Sequence, residues 1–232
     1  MMLEMHLRLI RDATFGRGDG VAGLVDEEVE HDAITGLPFL RGRTLKGLLV
    51  EECANTLFAL SRQASPALSH LQEAAKFLFG GPGSTLDDEA LMHVGPALLP
   101  SELWEAVDAD IRAGRLTPAM VLESLTAIRR QTAVDEGTGA PEEGSLRAMR
   151  VVLRETPLVA TMRFDEPPDS SALGLLAACV LSLRRGGMGR NRGRGLMTAR
   201  LYDPTKPADR SDVTDAHFQS FKVLVRGKES AA

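Results

Sequence analysis

The chain has 232 residues, of which 44% are hydrophobic and 4% aromatic, and it carries a formal net charge of −5. This composition is typical of a globular protein, and no apolar run approaches the roughly 20 residues that a membrane-spanning helix needs. The acidic net charge argues against a general nucleic-acid binder, so any basic surface must be local. Because the first residues lack the basic-then-apolar order of a secretory signal, we expect a cytoplasmic protein without a membrane partner.

The first half of the chain is predicted to be one strand followed by helices. Apolar residues alternate with polar ones from residue 3 to residue 9, which indicates a half-buried strand. Leucines between residues 45 and 60 follow helical spacing, and Thr44 is the candidate cap of that helix. Further helices are expected to begin near residues 65, 101 and 117. Cys53 and Cys179 fall on apolar helix faces, which predicts buried free thiols.

The second half is predicted to contain most of the strands. Residues 131–148 are polar and rich in glycine, which is typical of a long loop or a protruding hairpin. The elements expected after them are strands at 150–154 and 158–164, a helix at 171–185, a strand at 196–202 and an edge strand at 218–225. The main elements therefore run strand, helix, strand, strand, helix, strand.

That order predicts an α+β fold with a ferredoxin-like palm (βαββαβ), interrupted by about 80 inserted residues after the first helix. The RNA-recognition motif shares this topology, but the aromatic residues that stack on bases in that motif are missing from the predicted strands. We therefore expect any nucleic acid to be bound by loops.

Two glycine-bearing segments carry the main functional signal. One spans residues 36–47 at the start of the first helix, and the other spans residues 186–195, within a stretch (184–200) that holds six arginines and no acid. Glycine lets backbone N–H groups approach a ligand, arginine offers forked donors to phosphate, and a helix N-terminus favours an anion. The candidate RNA-binding residues are Arg41, Arg43, Thr44, Lys46, Gly187, Arg190, Arg192 and Arg194.

Other interpretations of these two segments remain open. The first could be an ordinary capped helix with surface cations, and the second a flexible turn with solvated arginines. A nucleotide-binding loop is excluded, because that motif runs from strand to helix and ends in Gly-Lys-Ser/Thr, which does not occur here.

The two segments, taken in order, resemble the RAMP superfamily of CRISPR-associated proteins. Residues 36–47 (GLPFLRGRTLKG) are similar to its Gly-x-Pro-x-Ile-Pro-Gly-Ser-Ser-Leu-Lys-Gly signature, and residues 186–195 to its C-terminal glycine-rich loop. Phe79-Gly80-Gly81 and the DDEAL stretch at 87–91 resemble the motifs between them. The departure is Arg41-Gly42-Arg43-Thr44 in place of Pro-Gly-Ser-Ser, which puts the family's subunit contacts in doubt here.

Within that superfamily the chain looks most like the repeated backbone subunit of type III effector complexes. The resemblance implies one domain, with a palm at about 1–60 and 150–202, a helical insertion at about 61–130, and a thumb-like hairpin at 131–148. It also implies binding to CRISPR RNA, to target RNA, and to other copies or paralogues of RAMP subunits.

The resemblance further implies endoribonuclease chemistry. Residues 23–32 (GLVDEEVEHD) match the family's Gly-x-Ile-Asp-x-x-Val-x-x-Asp pattern, which places the catalytic aspartate at Asp26. A carboxylate there could act as a base or hold Mg²⁺ or another divalent cation. Asp26 alone cannot chelate tightly, so we expect the metal to be shared with RNA, with no dedicated ligand set in the chain.

Three alternatives to catalysis by Asp26 remain. The acidic loop could be a solvated or subunit-contacting surface, in which case the chain would be a structural subunit that holds the guide or its 5′ tag. His31 could be a general acid, although a structural histidine is the more common case. A guide-processing endonuclease usually requires a well-placed histidine and two fused ferredoxin-like domains, which disfavours it here.

Overall fold

The protein is described by a computed structural model over residues 1–81, 89–132, 137–140, 144–208 and 211–227. Its strands are β1 (Met2–Leu9), β2 (Met92–Leu98), β3 (Thr126–Gln131), β4 (Arg147–Val152), β5 (Pro157–Phe164) and β6 (Met197–Tyr202). Its helices are α1 (Gly42–Arg62), α2 (Leu68–Phe79), α3 (Ser101–Arg112), α4 (Pro118–Leu125), α5 (Ser170–Ser182) and α6 (Thr214–Arg226).

Four strands form an antiparallel sheet in the order β2-β5-β1-β6, so β1 lies in the middle between β5 and β6. Together with α1 and α5, these strands make the predicted βαββαβ arrangement, and the ferredoxin-like palm is confirmed. Along β1 the apolar side chains from Leu3 to Leu9 are buried, while the alternate residues are exposed or half-buried. One face of the sheet therefore carries the core, and the other face is open.

The second palm strand is not the one predicted. The run at 150–154 was expected in the palm, but its first three residues lie in β4, which forms a separate two-stranded sheet with β3. The palm strand is β2, which contains Gly95 and Pro96 at a register shift opposite β5. Proline is tolerated because β2 is an edge strand, and the shift breaks the alternation that would have marked a strand in the sequence.

The β3–β4 hairpin holds the segment that was predicted to protrude. Its strands pair from Thr126 opposite Val152 to Gln131 opposite Arg147. The connection between them is the centre of the predicted thumb at 131–148, although residues 133–136 and 141–143 lie outside the described part. Residues 82–88, which include the first two residues of the predicted DDEAL motif, also lie outside it.

The C-terminal prediction of an edge strand at 218–225 is wrong, because this segment lies within α6. Phe218 and Phe221 stand one helical turn apart with ring centroids at 5.8 Å, and both pack against the core. A Cβ at Gly174 on α5 would lie 2.9 Å from the backbone nitrogen of Phe221, so the two helices meet closely at that glycine. The apolar residues of this segment thus follow a helical rather than an alternating pattern.

The helix layer packs over the buried face of the sheet. The predicted free thiols are confirmed: Cys53 on α1 and Cys179 on α5 are both buried and unbridged. The hydrogen bond from Cys179 lowers the pKa of Cys53, whereas this bond and burial raise the pKa of Cys179. Among the helices of the described residues, none is long and apolar enough to cross a membrane.

Candidate nucleic-acid interface

The two glycine-bearing segments, about 150 residues apart in the sequence, meet in the structure. Arg190 of the glycine-rich loop (residues 186–195) donates two hydrogen bonds to Glu51 on α1, from Nη1 to Oε2 at 2.8 Å and from Nη2 to Oε1 at 3.0 Å. Between them lies a cleft of about 270 Å³, called here the first cleft. Four of the predicted residues line it: Arg41, Thr44, Gly187 and Arg190.

The N-terminus of α1 faces this cleft without a side-chain cap. Arg41 occupies the N-cap position and makes no capping hydrogen bond, and the first turn contains no acidic residue. Thr44, the predicted cap, lies inside the first turn instead, because the helix begins at Gly42. A Cβ on Gly42 would lie 2.2 Å from the carbonyl oxygen of Val94, so glycine lets the helix start against β2. The first N–H groups and the positive end of the helix dipole thus remain available to an anion.

The glycine-rich loop is a closed, tightly hydrogen-bonded turn. The N–H of Gly186 donates to the carbonyl of Gly195 at 3.0 Å, and the N–H of Met188 donates to the carbonyl of Thr14 at 2.8 Å. Gly187 has φ +81°, and a Cβ there would lie 2.5 Å from the carbonyl oxygen of Thr14. These glycines bring the loop backbone against the segment that follows β1. At Gly187 a side chain would clash with the carbonyl of Thr14.

Both arginines in the first cleft are positioned by carboxylates. Nη2 of Arg41 lies 2.5 Å from Oε1 of Glu30, whose side chain is buried. This contact is an ion pair without hydrogen-bond alignment, since Oε1 of Glu30 accepts no hydrogen bond from a described residue. The hydrogen bond to Glu51 raises the pKa of Arg190. A guanidinium has five N–H donors, so each arginine keeps donors for a phosphate while its carboxylate fixes its place.

The other four predicted cations do not line the first cleft. Arg43 is exposed on the first turn of α1, and Arg192 is exposed on a 3₁₀ turn of the glycine-rich loop. Lys46 is half-buried, donates from Nζ to the carbonyl of Met92 at 3.3 Å, and has its pKa lowered by burial. Arg194 lies near the β3–β4 hairpin, where Nη1 contacts Sδ of Met149.

Asp26 docks on the hairpin. Its N–H donates to the carbonyl of Ala148 at 2.7 Å, and its Oδ2 accepts from the N–H of Ala148 at 2.7 Å. Glu27 forms a parallel bridge with Met149, and the N–H of Arg150 donates to the carbonyl of Glu27 at 3.0 Å. The segment that carries Asp26 therefore lies alongside β4, with the carboxylate exposed at the root of the predicted thumb.

A buried ion pair fixes this docking. Glu28 and Arg150 are both buried, and Nε of Arg150 donates to Oε1 of Glu28 at 2.7 Å. Nη1 of Arg150 also donates to Oγ1 of Thr126 at 3.2 Å, at the first residue of β3. Loop, β3 and β4 are thereby joined through one side chain.

The remaining groups of the predicted acidic motif have structural partners. Oδ1 of Asp32 accepts from the N–H of Ile34 at 3.1 Å and from the N–H and hydroxyl of Thr35 at 2.7 and 2.8 Å. Burial raises the pKa of Asp32, but these hydrogen bonds outweigh it and hold the pKa below its ordinary value. His31 makes a 3.0 Å contact from Nδ1 to the carbonyl of Val29.

The chain offers few ligands to a metal ion near Asp26. No group of three or more histidine, cysteine, aspartate or glutamate side chains suited to a metal occurs among the described residues. Oδ2 of Asp26 already accepts a hydrogen bond, and Oε1 of Glu27 accepts one from the N–H of Gly18 at 3.2 Å. The donor set fits a divalent cation only if most of its ligands come from water and RNA.

The open face of the sheet carries mixed charge. Its arginines pair with acids: Arg8 with Glu155, Arg163 with Asp165, and Arg200 with Asp212 and Asp215. His6 on β1 stacks on Tyr202 of β6 with ring centroids 4.1 Å apart, an aromatic pair that the sequence pattern did not predict. Each of these three arginines therefore has an acidic partner among the described residues.

Sequence reasoning also missed the residues that assemble the site. Thr14 binds the glycine-rich loop, and Glu30 pairs with Arg41. Arg150 holds the segment that carries Asp26. Their partners are distant in sequence, so only a charge inside an otherwise apolar run, as at Arg150, could have marked them.

The fold is similar to that of subunits in known CRISPR complexes. A chain of the type III-B Cmr-beta complex in its apo state matches with a TM-score of 0.60 at 14% identity, covering 88% of this chain and 98% of that one. A chain of Cmr-beta bound to cognate target RNA gives 0.58 at 13% identity, covering 87% and 97%. A chain of a type IV-B CRISPR complex gives 0.57 at 16% identity, covering 90% and 93%.

No curated protein matches the chain. The family model of the RAMP superfamily matches residues 14–198. This range begins in the segment that follows β1, includes both glycine-bearing segments and the hairpin, and ends in β6. With most of its length matched, the chain belongs to the RAMP superfamily.

Proposed function

We propose that the chain is a CRISPR RNA-binding backbone subunit of a type III effector complex. The observation that carries the proposal is the first cleft, in which an uncapped helix N-terminus and a glycine-rich loop face each other with Arg41 and Arg190 between them. Backbone N–H groups and forked guanidinium donors are the groups that bind a phosphodiester without regard to sequence. A guide RNA of any sequence needs this kind of binding.

The net charge of the chain favours an assembly in which several subunits bind one RNA molecule side by side. The chain is acidic overall, so one copy offers only a local basic surface, and we expect it to bind RNA weakly by itself. Several copies, or paralogous RAMP subunits, on one RNA would gain affinity through multivalency. The likeness to Cmr-beta and type IV-B subunits supports such an assembly, in which target RNA pairs with the guide.

We further propose that the subunit cleaves the paired target RNA at Asp26. The carboxylate is exposed, and Asp26 is attached to β4 at the root of the hairpin that would reach the guide–target duplex. Oδ1 accepts no hydrogen bond from a described residue, so it could accept a proton from a 2′-hydroxyl or contact a cation. A divalent cation such as Mg²⁺, held mainly by RNA, would supply charge neutralisation at the scissile phosphate.

A second candidate is a structural subunit that holds the guide RNA or its 5′ tag and cuts nothing. The observation that favours it is the engagement of Asp26 by Ala148, together with the absence of a metal-ligating cluster among the described residues. RNA binding at the first cleft is common to both candidates, whereas cleavage separates them.

The RNA-binding proposal is tested by removing one exposed cation from each of the two glycine-bearing segments that form the first cleft. The full chain is titrated at several salt concentrations with a labelled single-stranded RNA long enough for several copies. For the double variant Arg43→Gln/Arg192→Gln we expect weaker binding, with the slope of log K against log salt shallower by about 0.7 for each phosphate that is no longer neutralised. The matched control is Arg62→Gln/Arg226→Gln, at the far ends of α1 and α6. Equal binding by the two double variants would contradict the proposal.

A further inference from the structure

A second cleft opens at the other end of the glycine-rich loop. It has a volume of about 320 Å³ and lies between the end of β1, the root of the β3–β4 hairpin and the last residues of the loop. Whereas the first cleft takes Gly187 and Arg190 from the loop, the second takes Gly193 and Arg194. Its charged side chains are Arg11, Asp12, Arg129, Arg154 and Arg194.

Among the described residues, Asp12 is the one carboxylate that lines this cleft, and it holds the walls together. Oδ2 of Asp12 accepts from Nε and Nη2 of Arg129 at 3.1 and 2.9 Å, and Oδ1 accepts from the N–H of Arg154 at 3.1 Å. The carbonyl of Asp12 accepts from the N–H of Gly195 at 2.9 Å. Asp12 thus ties the hairpin, the turn before β5 and the glycine-rich loop to the end of β1, and it neutralises Arg129.

The other three guanidiniums have no carboxylate partner among the described residues. Arg11 donates from Nη1 to the carbonyl of Gly193 at 3.2 Å, and Arg194 contacts the uncharged sulfur of Met149. The side chain of Arg154 is exposed, and the acid next to it, Glu155, pairs with Arg8 instead. In contrast to the first cleft, where Glu30 and Glu51 balance two arginines, the second keeps an excess of positive charge.

An anion in the cleft would relieve the repulsion between these like charges, and each guanidinium retains unused donors for it. Ten other described arginines pair with acids, whereas Arg11, Arg154 and Arg194 do not, so unbalanced positive charge gathers in this cleft. Forked donors converging from three directions match the oxygens of a phosphodiester.

We propose that the second cleft binds a phosphodiester of the RNA backbone through Arg11, Arg154 and Arg194. The inference rests on the proposed function and extends it: RNA is contacted at both ends of the glycine-rich loop. The phosphate belongs either to the guide strand, which continues from the first cleft, or to the complementary strand paired with it beside the hairpin.

The test compares two double variants of the full chain by RNA titration. Arg11→Gln/Arg154→Gln removes two exposed guanidiniums from the second cleft and leaves the Asp12–Arg129 ion pair intact. Arg62→Gln/Arg226→Gln removes the same charge elsewhere, and thermal melting verifies that both variants fold. For the second-cleft variant we expect a salt slope shallower by about 1.4, since two guanidiniums no longer neutralise phosphates, equally for RNAs of different sequence.

The two sources of the phosphate are separated by using the single-stranded RNA alone and the same RNA annealed to a complementary strand. Loss of affinity with the single strand assigns the cleft to the guide backbone. Loss that appears only with the annealed RNA assigns it to the complementary strand. Affinity equal to that of the control on both RNAs would overturn the inference, and an acidic peptide would then be the occupant to test.

This experiment also distinguishes the inference from the proposed function. If Arg43→Gln/Arg192→Gln binds RNA like the control while Arg11→Gln/Arg154→Gln binds weakly, the first-cleft proposal fails and the second-cleft proposal stands. If instead Arg43→Gln/Arg192→Gln binds weakly and Arg11→Gln/Arg154→Gln binds like the control, only the second-cleft proposal fails.

Discussion

Asp26 and Ala148, which are 122 residues apart, exchange two hydrogen bonds of 2.7 Å, one between backbones and one to the aspartate carboxylate. The residue proposed to cleave RNA is therefore fixed to the root of the hairpin that would contact the duplex. This relationship permits a substitution that keeps the attachment and removes only the charge.

Asp26→Asn is expected to abolish target cleavage while it preserves folding and RNA binding. The amide oxygen can still accept from Ala148, but it is neither a base nor an anionic ligand. The assembled complex is incubated with guide-complementary RNA, with Mg²⁺ and with chelator. Asp19→Asn is the control, since it removes an exposed charge from the same loop.

Three results of this cleavage assay can be told apart. Metal-dependent cuts that disappear only in Asp26→Asn support catalysis at this residue. Unchanged cutting by Asp26→Asn places the active site elsewhere and contradicts the proposal. No cutting by the wild type or by either variant selects the structural subunit.

Breaking the buried Glu28–Arg150 pair is expected to be strongly destabilising. Arg150→Met leaves the Glu28 carboxylate buried without its partner, which costs roughly 3–5 kcal/mol in the free energy of unfolding. The double variant Glu28→Leu/Arg150→Met removes both charges and should recover most of the loss. Arg112→Met, which breaks the exposed pair with Asp108, should cost no more than about 0.5 kcal/mol. Denaturant unfolding measures all three, and a small effect of Arg150→Met alone would show that the pair is not a structural anchor.

The glycine-rich loop provides a matched pair of glycines. Gly195 and Gly189 have φ of +64° and +69°, but a Cβ at Gly195 would lie 1.8 Å from the carbonyl oxygen of Gly186, whereas at Gly189 the nearest atom is 3.5 Å away. Gly189→Ala should cost only the left-handed strain of about 1–2 kcal/mol, whereas Gly195→Ala must also open the loop. We expect Gly195→Ala to lower both the melting temperature and the RNA affinity by more than Gly189→Ala does. Equal effects of the two substitutions would show that loop closure does not matter.

The Asp32 turn predicts an acid-dependent loss of stability. Its pKa is lowered from an ordinary value of 3.8 by hydrogen bonds from Thr35 and Ile34, against the opposing effect of burial. A lowered folded-state pKa contributes stability that is complete above 3.8 and is lost as the pH falls through the folded-state pKa. The gap in unfolding free energy between wild type and Asp32→Asn should therefore narrow as the pH is lowered from about 5 to about 2. A gap that is constant over this range would contradict the assignment.

Local patterns predicted the elements that follow one period and missed those that do not. The alternation along β1 and the leucine spacing in α1 identified both elements, because each buries one regular face. The edge strand β2 was missed because Gly95 and Pro96 interrupt its register, and α6 was mistaken for a strand because only part of its amphipathic pattern was considered.

The residues of the candidate site likewise fall into those that the sequence predicted and those that it did not. Glycine and arginine at 36–47 and 186–195 marked the two walls of the first cleft, since both residue types are conspicuous in sequence. The partners that set the geometry, such as Asp12 and Ala148, act through pairings that only the fold brings together. A buried Glu28 and an exposed Asp26 are likewise indistinguishable in an acidic run.

The most direct measurement of the central claim is photo-crosslinking of a 4-thiouridine RNA to the full chain, with the attached peptides identified by mass spectrometry. The account predicts crosslinks in residues 36–47 and 186–195, and in residues 10–12 if the second cleft also binds. Crosslinks confined to the open face of the sheet, around His6 and Tyr202, would contradict it.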